Sequence, residues 1–227
     1  MKKVSDRPPF EAVHNCICAF PDVPILEFYK GYFEAVYILL HPFIQYNSKQ
    51  EVIRFVSWQE MLNLTQFKNL NQLDIALRTR IGGLRKEHEN KVDAEILLNT
   101  CNNNNISEPS EGQFQGSLQT EMLKSLLELG YNYMFVADEF GFERKLSYVQ
   151  EYLNGQDDTV LKWGSERNWY TNNNEIFYTT HWDSHFTMLC SDKKTIESIL
   201  SKHSFEGFYC NERLTFTGAY LLTEYKL

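Results

Sequence analysis

The apolar run "ILEFYKGYFEAVYILLHPF", residues 25–43, constrains the fold more than any other stretch of the chain. Apolar side chains stand at Ile25, Phe28, Tyr29, Tyr32, Phe33, Val36, Tyr37, Leu39 and Leu40. They recur at helical spacing and cover most of the circumference, which is the pattern of a helix buried on every side. The expectation is a central helix over residues 25–40, stopped at Pro42. Such an element needs apolar neighbours all round, and 227 residues are enough to supply them.

Before this run, "CICAFPDVP" (residues 16–24) reads as a short extended segment ended by proline. After it, "SWQE" (residues 57–60) is a capping-box pattern that opens a helix. In "LNQLDIALRTRI", Leu70, Leu73, Leu77 and Ile81 fall on one stripe; the pattern breaks at Gly82-Gly83 and resumes through "VDAEILLN". The first hundred residues therefore read as mainly helical. Next comes "CNNNNISEPSEGQFQGS" (residues 101–117), with four consecutive asparagines and no Lys or Arg. A structureless loop of that length is uncommon inside a compact domain, so it reads as an exposed linker in preference to a functional loop.

Beyond it the pattern changes. "LQTEMLKSLLELG" is a helix stopped by Gly130, "YNYMFVAD" a strand, and "FERKLSYVQEYLNG" a helix stopped by Gly155. "EIFYTTHWDSHFTMLC" is strand-like, "DKKTIESILSKH" is a helix opened by Asp192, and "FEGFYC" and "LTFTGAYLL" are strands. The fold class is α+β: a mainly helical N-terminal half, and a small mixed or antiparallel sheet with helices in the C-terminal half. The regions are 1–100, 101–117 and 118–227, with one continuous domain as the alternative.

Composition narrows the partners. Lys and Arg total 22 against 30 Asp and Glu, a formal charge of −8 that repels phosphate backbones. The richest basic stretch, "RTRIGGLRK", runs straight into Glu87 and Glu89, so nucleic acid is disfavoured. The basic start "MKKVSDRPPF" has no apolar segment after it, and residues 25–40 carry Glu27, Lys30 and Glu34, so neither a leader nor a membrane span is expected. Five cysteines without framework spacing fit free thiols in the cytoplasm.

The chemistry is concentrated in "HWDSHF", residues 181–186. On a straight strand His181, Asp183 and His185 share one face, where two imidazoles and a carboxylate could ligate zinc or another divalent ion. A tight turn at Asp183-Ser184 splits them instead, leaving an exposed polar hairpin tip, and this reading is preferred because the straight strand would be about three times the usual length. "VADEFGFER" places Asp138 and Glu139 just after a strand, where carboxylates hold Mg²⁺ or act as acid and base; the preferred, bland reading is a strand-to-helix turn whose acids complement the N-terminus of the following helix. His14, Cys16 and Cys18 alternate in "HNCIC" but lack the usual zinc spacing, and Cys210 is read as a buried thiol before a nucleophile. "RIGGLRK" is not a phosphate loop, whereas "WGSERNW" offers Trp163, Trp169 and Arg167 as recognition anchors.

The run "THWDSHFTMLC" followed by "FEGFYC", together with the apolar run at residues 25–43, resembles conserved bacterial proteins with no assigned activity. That resemblance implies a bacterial cytoplasmic origin and no residue roles. The leading functional reading is a non-enzymatic binding or interaction module, with a protein or a small molecule as partner and no cofactor. The alternative is a metal-dependent hydrolase using His181, Asp183 and His185 with a divalent metal such as zinc, helped by Asp138 or Glu139.

Overall fold

A computed structural model describes residues 16–157, 161–162, 165–171, 173–212 and 214–216. His14, Trp163 and the end of the strand expected over "LTFTGAYLL" lie outside the described residues. The apolar run is not one helix. It forms a four-residue helix α1 (Ile25–Phe28), turns at Gly31 with φ +82°, and continues as strand β1 (Ala35–Leu40). The cause is visible in the packing: Val36, Ile38 and Leu40 enter one core, and Tyr37 and Leu39 enter another. A strand buried on both faces is apolar at every position, and over a short stretch that is indistinguishable from an all-round apolar helix.

β1 lies inside a seven-stranded antiparallel sheet. The other members are β5 (Tyr133–Ala137), β6 (Arg144–Tyr148), β7 (Asn168–Thr171), β8 (Phe177–Thr179), β9 (Phe186–Ser191) and β10 (Gly207–Tyr209). Their spatial order is β10-β1-β9-β8-β7-β5-β6. β1 pairs with β9 in the register Ile38↔Met188 and with β10 in the register Ile38↔Phe208. Gly207 is required at that edge, because a Cβ there would stand 1.9 Å from the Ile38 carbonyl oxygen. β6 forms the opposite edge of the sheet and carries Arg144 and Lys145, charges that discourage further strand pairing.

Helices cover both faces. On one side lie α2 (Trp58–Thr65), α3 (Leu70–Ile81) and α4 (Lys91–Asn104), which contribute Trp58, Met61, Leu73, Leu77 and Leu97 to the first core. On the other lie α5 (Gly116–Glu128), α6 (Val149–Leu153) and α7 (Lys193–Leu200), which contribute Met122, Leu126, Val149, Ile196 and Ile199 to the second. The caps are those the sequence offers: Ser57 Oγ accepts from Glu60 N at 3.1 Å, and Asp192 Oδ1 accepts from Thr195 N at 2.9 Å. Among the described residues no helix is long and apolar enough to cross a membrane.

The α+β class stands, but its expected layout by halves does not. β1, β2 (Phe43–Tyr46) and β3 (Val52–Val56) all precede residue 100, and β2, β3 and β4 (Ile106–Ser107) build a second, three-stranded sheet. The Asn-rich stretch begins as the last turn of α4, is capped by Asn105 at φ +52°, continues as β4 and ends in the first turn of α5. Asparagine is tolerated at that left-handed position, so a run of them can finish a helix as readily as it can fill a loop. The main sheet crosses the expected boundary, with β1 before it and six strands after it. "FERKLSYVQEYLNG" also divides: Arg144–Tyr148 is β6, and only Val149–Leu153 is helical.

Candidate functional site

β1, β5 and β8 end, and β7 and β9 begin, at the same end of the main sheet, where the two acidic motifs of the sequence meet. Between β8 and β9 the chain turns at His181–Ser184. Ser184 N donates to the His181 carbonyl at 3.1 Å, Ser184 Oγ donates to it at 2.9 Å, and Thr180 Oγ1 reaches the Phe186 carbonyl at 3.0 Å. The hairpin reading is correct in topology, with Trp182 and Asp183 at the corner, one residue earlier than expected. It is wrong in exposure. His181 and His185 are 3% and 1% exposed, and only Trp182 and Asp183 reach the surface.

The turn is buried because two loops close over it, each with a glycine at the contact. Gly112 N donates to the Ser184 carbonyl at 3.0 Å, and a Cβ on Gly112, at φ +61°, would lie 2.3 Å from the Trp182 carbonyl oxygen. Gly83, just after α3, approaches Asp183 so closely that a Cβ would stand 3.1 Å from the aspartate Cβ. "GG" in "RIGGLRK" thus serves close packing of the hairpin corner. The His181 ring stacks on Phe216 at 4.2 Å between centroids and tilts against Trp182 at 4.7 Å.

Beneath the turn is Arg78, a charged residue on the buried face of α3 and 4% exposed. Its Nη1 lies 3.6 Å from Asp74 Oδ2, and its Nη2 donates to the carbonyls of Gly83, at 3.1 Å, and Phe216; Nε has no partner. Burial pushes the His181 pKa down to about 4, with Arg78 and Arg167 adding to it. His185 is held at about 4 by burial, opposed by the Ser110 and Pro109 backbone and reinforced by Arg78. Both imidazoles are therefore neutral at pH 7. Asp183 N donates to His181 Nδ1 at 3.2 Å, which puts the ring proton on Nε2, and that donor has no partner. Among the described residues no three His, Cys, Asp or Glu side chains are grouped to hold a metal ion, so His181, Asp183 and His185 do not converge as a ligand set.

The second motif supplies the neighbouring wall. Asp138 Oδ1 accepts from Phe140 N at 2.9 Å and Phe142 N at 3.3 Å, and Oδ2 accepts from Glu143 N at 2.5 Å. Its carboxylate is spent on holding the β5–β6 turn, which joins two strands and not, as expected, a strand to a helix N-terminus. Glu139 is different. Its carboxylate lies 3.9 Å from Arg167 Nε, and burial raises its pKa to about 7, with Arg167 opposing and Asp183 and Asp138 adding to the rise. Asp183 also raises Glu111 after burial does, so Glu139, Asp183 and Glu111 share one electrostatic neighbourhood. Phe140 bridges the two motifs, with its ring 5.9 Å from Phe142 and 6.4 Å from Trp182.

A cleft of about 300 Å³ opens at this place, lined by Pro21, Arg78, Arg85, His181, Trp182, Asp183 and Phe216 among others. Arg78, Gly112 and Phe216 were not singled out from the sequence; the legible signal for Arg78 was its i, i+4 partner Asp74 beside the apolar stripe. The remaining candidates fall away from the cleft. Trp169 is fully buried against Phe114 and Tyr152, so it is core and not a recognition anchor. Cys16 and Cys18 are buried thiols raised to about 12; Cys210 is half-buried against the first core, is raised to about 12 as well, and its Sγ donates to the Asn211 carbonyl at 3.5 Å. His203 Nδ1 is engaged by Glu121 Oε2 at 2.7 Å.

A family model described as "Protein of unknown function (DUF2711)" matches residues 21–217. The chain belongs to the DUF2711 family. The matched span contains every helix and strand from α1 to β10 and the whole lining of the cleft, from Pro21 to Phe216, so fold and site both lie within the DUF2711 region. No curated protein and no solved structure matches the chain.

Proposed function

We propose that the protein is a non-enzymatic binding module and that its ligand is a small molecule seated in the cleft beside the Trp182–Asp183 corner. One observation carries this reading: Arg78 Nε and His181 Nε2 are buried, unpartnered hydrogen-bond donors on residues that line the same cleft. Each such group costs about 1–3 kcal/mol when left unsatisfied, and a ligand acceptor recovers that cost. The volume of about 300 Å³ falls at the lower end of ligand clefts, and aromatic walls with a few placed polar groups are their usual composition. Five unpaired cysteines agree with a cytoplasmic setting, and the charge of −8 with a partner other than nucleic acid.

A thermal-shift screen against small metabolites tests the proposal. A ligand at a hundred times its Kd adds about 2.7 kcal/mol and raises the melting temperature of a chain this size by roughly 5–10 °C. The shift is expected to vanish in Trp182→Ala. A screen with no stabilising compound, or a shift that survives the substitution, counts against the cleft.

Glu139 favours a second reading, an acid–base enzyme at the same end of the sheet. A carboxyl held near pKa 7 beside Asp183 and Arg167 is suited to proton transfer at neutral pH. In that case ester or phosphoester hydrolysis by the wild-type protein, with or without added zinc, is lost in Glu139→Gln.

A further inference from the structure

We propose, resting on the reading of the cleft as a binding site, that its ligand is a singly charged carboxylate on a flat apolar body. Two buried side-chain donors on the cleft residues lack a partner, Arg78 Nε–H and His181 Nε2–H, and a carboxylate has two acceptor oxygens to meet them. Both donors are fixed. Arg78 is tied through its other nitrogens to Asp74, Gly83 and Phe216, and the His181 ring is clamped between Phe216 and Trp182 with its proton set on Nε2 by the Asp183 amide. Preorganised donors of this kind lose little freedom when an acceptor arrives.

Two cations stand on that side. Arg78 is felt by both His181 and His185, and Arg167 by His181, with Asp74 at 3.6 Å from Arg78 and Glu139 at 3.9 Å from Arg167 as their carboxylate neighbours. Their field is limited, however. Gly82 and Gly83 place the cleft at the C-terminal end of α3, where the helix dipole is negative, and the Asp183 carboxylate lines the same cleft. Arg85, the other cation on the wall, is engaged with Asp22 at 3.2 Å. A carboxylate brings a single charge to the Arg78 and His181 donors; a phosphate dianion brings a second that faces Asp183 and the helix carbonyls. The flat body follows from Trp182, a cleft-lining ring that is 37% exposed.

Isothermal titration of the full chain with benzoate, benzamide and phenyl phosphate tests the charge. Benzoate is expected to bind at least tenfold more tightly than its neutral isostere benzamide and more tightly than phenyl phosphate. His181→Phe keeps the stacked ring and removes the donor, and is expected to weaken benzoate about tenfold in a variant whose circular dichroism matches the wild type. Arg78→Ala is set aside as a primary variant because loss of its three tethers threatens the fold; the ligand series supplies the test without it. Equal binding of benzamide and benzoate, both lost in Trp182→Ala, overturns the carboxylate while the cleft reading stands. Tighter binding of phenyl phosphate overturns the single charge. No binding of any of the three at millimolar concentration overturns the proposed ligand class, and the broader thermal screen then judges the cleft by itself.

Discussion

Acidification from pH 7 to pH 5 is expected to destabilise the protein by about 3–4 kcal/mol net, driven by three buried neutral histidines. His41 is held at about 3 by burial, with the Ser110 carbonyl opposing and His185 adding to the shift; His181 and His185 are held at about 4. Each folded pKa lies below the unfolded value of about 6.5, so the folded state binds fewer protons than the unfolded one. Their contribution is complete above pH 6.5 and is lost as the pH falls towards 4, at about 1.4 kcal/mol per pH unit for each group. Three together give roughly 4 kcal/mol per unit, against a typical total stability of about 5–15 kcal/mol. Glu139 works in the opposite sense, because its raised folded pKa favours the acid side, and it returns part of the loss between pH 7 and its unfolded value. Urea midpoints between pH 7 and pH 5 measure the net slope. His185→Met, which puts an apolar side chain of similar size at a buried position, is expected to stay folded and to reduce the slope by about 1.4 kcal/mol per unit. An unchanged slope would mean that His185 is already charged in the folded protein.

Trp58→Ala is expected to cost about 3–5 kcal/mol or more, the range for deleting a buried tryptophan. Trp58 is fully buried in the first core, edge-on to Phe43 at 6.1 Å, and its Nε1 donates to the His41 carbonyl at 2.8 Å. Its own amide is capped by Glu206 Oε2 at 2.8 Å, from the segment just before β10. The substitution therefore opens a cavity and strips a buried carbonyl of its donor at the junction of the two sheets. Trp58→Phe refills most of the volume and is expected to cost about 1–2 kcal/mol, chiefly for the orphaned carbonyl. Chemical denaturation with an unchanged m-value separates the two; equal losses would show that volume is not what Trp58 supplies.

The elements legible in the sequence were those with one-sided patterns or local signals. α3 followed from the stripe Leu70, Leu73, Leu77 and Ile81 with Gly82 as its stop, and α7 from Asp192 and the spacing of Ile196 and Ile199. β1 was not legible, because burial on both faces erases the alternation that distinguishes strand from helix. β3 failed for the opposite reason: Val52, Ile53 and Phe55 are exposed apolar residues on an edge strand, so no polar face marks its period. The Asn-rich stretch was misread on composition, since three of its asparagines are helical and the fourth caps the helix.

The site was half legible. Both acidic motifs could be quoted from the sequence, but nothing in their spacing brings Asp183 into the field of Glu139; that depends on β7 lying between β5 and β8. The histidines were expected at an exposed tip because the residues that bury them, Gly83, Gly112 and Phe216, come from three distant segments. Asp138, by contrast, declared its role locally. A carboxylate followed by "EFGFE" is an Asx turn in the making, and its three amide contacts are all within five residues.

The position of β1 has a consequence for how the chain can be made. Its partners are β9 and β10, more than a hundred residues later, and Val36 meets Cys190 while Tyr37 meets Tyr209. During synthesis β1 leaves the ribosome early and waits, both backbone edges open, until almost the whole matched region has followed it. Contacts so distant in sequence slow folding, and an open apolar strand is the kind of segment that chaperones shield. Separate expression of two fragments, divided anywhere between Leu40 and Phe186, parts this strand from both of its partners.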